Sequence, residues 1–244
     1  MLYTSIENKK IKSIKKLDQK KFRDETSEFV VEGDHLVMEA FKANILKEVI
    51  ALEGTIIDKV DVEINYATSS VLKYISSLST PPKVIGICKK IKEKPLKDKI
   101  LILDGIQDPG NLGTIIRNCV AFNISDIIVS SDTTDIYSPK VLRATQGMIF
   151  NVNIIKRDLG EIIYLLKNSG YTIYGTKVNG GKSVKNIEKK EKFAIIMGNE
   201  GNGVKKENLD LCSEYIYIDM NNKCESLNVG VATGIILYEL NMRW

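Results

Sequence analysis

Between residues 100 and 122 the chain passes from four consecutive apolar residues, Ile100 to Leu103, into Asp108-Pro-Gly-Asn-Leu-Gly-Thr-Ile-Ile-Arg117 and on to Phe122. The apolar run reads as a buried strand. Pro109 suits a turn or a first helical position, Gly110 and Gly113 allow close backbone approach, and Ile115, Ile116, Val120 and Ala121 keep helical spacing. A strand feeding a helix through a tight glycine turn commits this part of the chain to an α/β architecture and holds Arg117 on a rigid element. Such units recur throughout α/β proteins, and an arginine on a helix is more often a surface ion pair than a reacting group.

The alternation continues on both sides. Before residue 95, strand candidates (Phe29 to Val31, Lys47 to Leu52, Val62 to Tyr66, Val84 to Cys88) alternate with helices over Asp34 to Ala43 and Ser69 to Leu78. Lys89 to Lys99 is densely charged, carries a proline and lacks apolar periodicity, so it reads as a linker. A boundary near residue 95 gives a small α/β domain over 1–95, linker included, and a second domain over 96–244. In the second, strands at Ile100 to Leu103, Asp126 to Val129, Ile149 to Ile155, Tyr171 to Tyr174, Phe193 to Met197 and Tyr215 to Ile218 are mostly separated by helices. Those helices are Asn111 to Phe122, Asp158 to Asn168, Lys205 to Cys212 and Leu227 to Met242. Near-continuous apolar strands between helices predict a mostly parallel sheet covered on both faces. The last helix is apolar nearly all round, which calls for burial on more than one side and so for a homodimer interface as well as a core.

With 244 residues, 43% hydrophobic and 27% charged, the chain has the composition of a soluble globular protein, and no apolar run approaches the roughly 20 residues of a membrane span. No signal peptide is visible in the lysine-rich start, so a cytoplasmic location is expected. The four cysteines are scattered, as expected of reduced thiols, and the sequence holds one histidine, His35, so metal binding is not expected. Net charge is only +4, but lysines crowd residues 9–23 and 89–99. Such clusters favour a phosphate-bearing partner, and equally describe solvated helix faces.

Two later segments carry chemistry. Ile195-Ile-Met-Gly198-Asn-Glu200-Gly201-Asn-Gly203 is a strand running into a glycine loop with one carboxylate, and Cys224-Glu-Ser226-Leu227-Asn228 opens the last helix. The glycines are spaced G-x-x-G-x-G late in the chain, without an early G-x-G-x-x-G or the Lys-Ser/Thr of a P-loop, which disfavours a dinucleotide dehydrogenase or an NTPase. Ser226 and Asn228 are also the residue types that most often cap a helix.

Taken together, Leu103 to Asn118, Met197 to Gly203 and Glu225 to Val229 resemble the motifs of the SpoU/TrmH family, RNA ribose 2′-O-methyltransferases of the knotted SPOUT superfamily. Ser138 to Gly147 resembles the segment after that family's second strand, and Phe29-Val-Val-Glu-Gly33 its small N-terminal RNA-binding domain. The resemblance implies a deep C-terminal trefoil knot and S-adenosylmethionine as cofactor. It places Gly198, Ile218 and Leu227 as backbone contacts to the adenosyl moiety, with Thr176, Met220 and Ser226 close by. The family's catalytic positions map onto Asn111, Arg117, Glu200, Ser226 and Asn228.

Arg117 is the family's activating residue. A guanidinium stays protonated under nearly all conditions, so the preferred reading is that it holds a flanking phosphate and the ribose hydroxyl and lowers the hydroxyl's pKa electrostatically. Glu200 would orient Asn111 or Arg117, its alternative being a solvated loop carboxylate. Gly230 stands where family members often have serine or alanine. The expected activity is methylation of a ribose 2′-hydroxyl of RNA, ribosomal RNA first. The alternatives are a transfer RNA 2′-O-methyltransferase, a non-catalytic RNA-binding or ribosome-assembly protein on the same fold, and a different nucleotide-binding α/β enzyme.

Overall fold

The computed structural model describes residues 1–58, 60–188 and 190–243. Two compact units emerge: Met1–Lys92 with Asp135–Phe150, and Glu93–Thr134 with Asn151–Trp244.

The first unit begins with β1 (Leu2–Tyr3), α1 (Lys9–Lys16), α2 (Lys20–Thr26), β2 (Glu28–Glu32) and α3 (Asp34–Lys42). It continues with β3 (Leu46–Leu52), β4 (Glu63–Ala67), α4 (Ser69–Ile75) and β5 (Val84–Lys89). The strands form one mixed sheet in the order β1-β4-β3-β5-β2. The amphipathic helices α1 and α4 bury Ile11, Ile14, Val71, Leu72 and Ile75 in one core with Ile50, Ile85 and Ile87 of the sheet. The early lysines lie largely on α1 and α2, and several are neutralised within the unit: Lys10 by Glu48, Lys12 by Glu7, Lys15 by Asp18 and Lys21 by Glu25. Arg23, nearly buried, pairs with Asp135. The lysine-dense start is therefore partly a self-compensated helix face.

The second unit opens with β6 (Lys99–Asp104), α5 (Pro109–Ala121) and β7 (Asp126–Val129). The chain then contributes α6 (Pro139–Thr145) and a 3₁₀ turn (Met148–Asn151) largely to the first unit, where Phe29 packs against Tyr137 and Phe150 at centroid distances of 4.7 and 6.3 Å. It resumes with β8 (Asn153–Lys156), α7 (Leu159–Asn168), β9 (Thr172–Thr176), β10 (Lys182–Ser183), β11 (Phe193–Gly198), α8 (Lys206–Leu209), β12 (Glu214–Tyr217) and α9 (Val229–Arg243). All seven strands pair in parallel, in the order β10-β12-β9-β11-β6-β7-β8. The expected mostly parallel sheet is present, with β11 and, from Ile100 on, β6 fully buried at its centre.

Two expectations change in detail. A strand over Ile149 to Ile155 is interrupted: Gln146 and Gly147 take positive φ values of 52° and 82°, a 3₁₀ turn follows, and extended structure begins at Asn153. Residues 93–98, read as linker, are pinned to the second unit. Asn153 brackets the Lys94 backbone, accepting its N–H at 3.0 Å and donating to its carbonyl at 2.9 Å, and Arg157 grips Glu93 through both guanidinium ends.

Candidate active site

The site lies where the strands of the second unit end, as ligand sites in open parallel sheets do. Strand β6 ends at Asp104, in register with Gly198 at the end of β11. Asp108 caps α5 by accepting the Asn111 N–H at 2.8 Å, and Pro109 occupies the first helical turn, so Asn111 stands at the mouth of the sheet. After Gly198 the chain closes a tight loop in which Asn199 and Gly203 exchange two backbone hydrogen bonds of 2.9 Å. A Cβ at Gly198 would lie 2.0 Å from the Gly203 carbonyl carbon and the Val204 nitrogen. Glycine is thus needed at 198 for the chain to approach itself, not only for a ligand to approach the chain.

A cavity of about 800 Å³ opens beside this loop. Thr176, Gly198, Ile218, Met220, Ser226 and Leu227 all line it, as do Asn111, Glu200 and Asn228. The three motif segments, joined by Thr176 and by Ile218 and Met220, thus converge on one pocket. Its wall is apolar toward α9, with Val229, Ala232 and Ile236, and rich in backbone and amide groups toward the glycine loop. The Thr176 hydroxyl is turned inward, donating to the Ile196 carbonyl at 2.7 Å.

The polar rim is one chain of hydrogen bonds. Asn228 Nδ2 donates to Asn111 Oδ1 at 2.8 Å, and Asn111 Nδ2 donates to Glu200 Oε1 at 3.1 Å. Asn228 Oδ1 also accepts the Gly230 and Val231 N–H groups, so it caps α9 and holds Asn111 at once. Glu200 accepts the backbone N–H groups of Gln107 at 3.3 Å and Asp108 at 3.1 Å. Burial pushes its carboxyl up, but these donors outweigh burial and hold it below the usual glutamate range. Of its two expected partners, Glu200 touches Asn111. Lys205, its nearest basic neighbour in sequence, pairs instead with Asp132 and Asp104.

Arg117 is placed differently from the other four expected catalytic residues. It lies on the exposed side of α5, is not among the residues lining the cavity, and forms no ion pair among the described residues. On α9, Val231 and Tyr238 are 50% and 47% exposed, and Phe122, following α5, packs edge-on against Tyr238. A Cβ at Gly230 would sit 3.0 Å from the Thr114 methyl, so the glycine lets α5 and α9 pack closely.

His35 lies in the first unit, its Nε2 3.1 Å from the Gln146 carbonyl. Among the described residues there is no cluster of three or more histidine, cysteine, aspartate or glutamate side chains able to hold a metal ion. Nor is any described helix long and apolar enough to cross a membrane.

With this geometry in view, the chain belongs to the SpoU rRNA Methylase family, which its residues 98–238 match. Residues 8–86 match the MRM3-like substrate binding domain. Over 241 residues the chain is 35% identical to the 23S rRNA (guanosine(2553)-2′-O)-methyltransferase RlmP of Bacillus subtilis, covering 97% of both proteins. Its fold is similar to that of the AdoMet-bound rRNA methyltransferase from Sinorhizobium meliloti, with a TM-score of 0.88 and 29% identity over 100% of this chain and 98% of that one. A putative TrmH-family RNA methyltransferase from Porphyromonas gingivalis superposes with a TM-score of 0.87, at 27% identity over 96% and 97% of the two chains.

Proposed function

We propose that the protein transfers a methyl group from S-adenosylmethionine to a ribose 2′-hydroxyl of ribosomal RNA, in the cytoplasm and as a homodimer. The observation that carries this reading is the convergence of Asn111, Gly198, Glu200, Ser226, Leu227 and Asn228 on one cavity. About 800 Å³ falls within the range of roughly 300–1,000 Å³ typical of small-molecule sites, with room for a nucleoside-sized group and its tail. The backbone edges of residues 198, 218 and 227 are suited to reading an adenine, and the apolar α9 wall to covering it. When bound, S-adenosylmethionine supplies an electrophilic methyl group on a sulfonium.

The chain's own task is to bring a ribose hydroxyl into line and to favour loss of its proton. The Asn228–Asn111–Glu200 chain fixes the amide groups at the mouth. Arg117 supplies positive charge for a flanking phosphate and the developing oxyanion. Because Arg117 is exposed and lies outside the lining of its own pocket, it serves the pocket of a second copy docked through α5 and α9, where Val231 and Tyr238 are exposed. Residues 1–95 bind the RNA and residues 96–244 perform the transfer.

Mapping ribose methylation by mass spectrometry in ribosomal and transfer RNA, from cells with and without the gene, tests the substrate. Loss of one 2′-O-methyl group from the large ribosomal RNA is expected. Loss confined to transfer RNA, or no loss in either, would contradict the assignment.

A further inference from the structure

Away from the cavity, a second polar cluster is built around a carboxylate that no reaction step uses. Asp104, at the end of β6, is fully buried. Its Oδ2 accepts the Lys205 backbone N–H and the Asn208 side-chain amide, each at 2.8 Å. Its Oδ1 has no hydrogen-bond donor, and its compensating charge is Lys205 Nζ at 3.6 Å. Lys205 Nζ in turn donates to Asp132 Oδ2 at 2.8 Å. The other Asp132 oxygen takes the Ser130 hydroxyl at 2.5 Å, and Ser130 Oγ accepts the Gly105 N–H at 2.9 Å.

A buried carboxylate with one oxygen short of a donor is costly, so the cluster has to do something that an apolar residue would not. Its geometry indicates what that is. The loop carrying Glu200 is closed by the paired bonds between Asn199 and Gly203. It is suspended at two points. On the entry side Asn199 Nδ2 donates to the Gly105 carbonyl at 2.8 Å, and on the exit side the Lys205 N–H is held by Asp104. Both anchors are adjacent residues at the end of β6, from which the chain runs straight into Gln107, Asp108 and Asn111, the groups that grip Glu200.

We propose that Asp104 is the positioning residue for Glu200: by holding Lys205 and Asn208 it fixes the glycine loop against the start of α5, so that Glu200 and Asn111 meet in working register. This rests on the methyltransferase reading. Asp104→Asn can keep an oxygen on the Lys205 N–H and the Asn208 amide, but it removes the charge opposite Lys205 Nζ and sets an NH2 donor against that ammonium. The loop then shifts, and a small misplacement of positioned groups costs one to two orders of magnitude in turnover.

For Asp104→Asn, kcat per folded molecule is expected to fall at least about tenfold, with KM for RNA within about twofold of wild type. Calorimetric affinity for S-adenosylhomocysteine should weaken by roughly three- to tenfold. If Asp104→Asn does not fold, Lys205→Met carries the same test, with kcat and affinity expected to fall together. Normal kcat and affinity in a folded variant would overturn the positioning role. Failure of the wild-type protein to bind S-adenosylhomocysteine would instead refute the methyltransferase reading.

Discussion

At the scale of single residues, the site depends on groups that do two jobs at once. Asn228 caps a helix and orients Asn111, and Glu200 ties the start of α5 to the glycine loop while facing the cavity. The residue types and their grouping were legible from the sequence, and the family resemblance offered Asn111 or Arg117 as the partner of Glu200; which of the two it meets was not legible, because Asn111 and Glu200 are far apart along the chain and only the β6–β11 register joins them. Glu200 also carries a pH signature. A carboxylate held below its unfolded value stabilises the fold fully above that unfolded value, about 4.3, and the contribution is lost as pH falls through the lower folded value. An NMR titration of Glu200 should therefore give a midpoint below that of an unstructured glutamate, moving upward in Asn111→Ala. A midpoint unmoved by that substitution would mean that the Asn111 amide does not hold the carboxylate.

Elements set the site's shape. Six of the seven parallel strands, and the helices packed with them, followed from apolar runs and helical spacing; β10, only Lys182–Ser183, did not. The first two helices did not, because their lysines hide the few inward residues, Ile11 and Ile14 on α1 and Arg23 on α2. Helix α6 was missed because it is one short turn-bounded segment whose buried apolar residues, Val141 and Leu142, are too few for a periodic signal. The glycine loop was read as a ligand cradle, yet at Gly198 the tightest demand comes from the chain itself. Gly198→Ala places a methyl group on the Gly203–Val204 backbone and should cost about 2–4 kcal/mol in denaturant unfolding, with loss of cofactor binding. A stable Gly198→Ala protein that still binds S-adenosylhomocysteine would show that the loop has room to yield.

For the whole molecule, the proposed two-copy site turns on Arg117, which is exposed on α5 and outside the cavity lining. In that proposal a second copy docked through α5 and α9, where Val231 and Tyr238 are exposed, brings a guanidinium to the cavity. Neither periodicity nor spacing specified this. The apolar circumference of α9 suggested an interface, but not which copy's arginine serves which pocket. Val231→Glu should convert a dimer into a monomer in sedimentation and reduce activity at least about tenfold. Arg117→Ala and Asn111→Ala proteins, each inactive alone, should regain roughly a quarter of wild-type activity when mixed under exchanging conditions, because half the molecules are hybrids with one intact site. No recovery would place Arg117 in its own pocket or outside catalysis. The most direct test of the central claim is to incubate the purified protein with ribosomal RNA and S-adenosylmethionine labelled in the methyl group, then hydrolyse the RNA with alkali. A ribose without a free 2′-hydroxyl resists that cleavage, so the label should appear in an alkali-stable dinucleotide and be absent with Arg117→Ala. Label in mononucleotides, which marks a methylated base, or no transfer at all, would contradict the account.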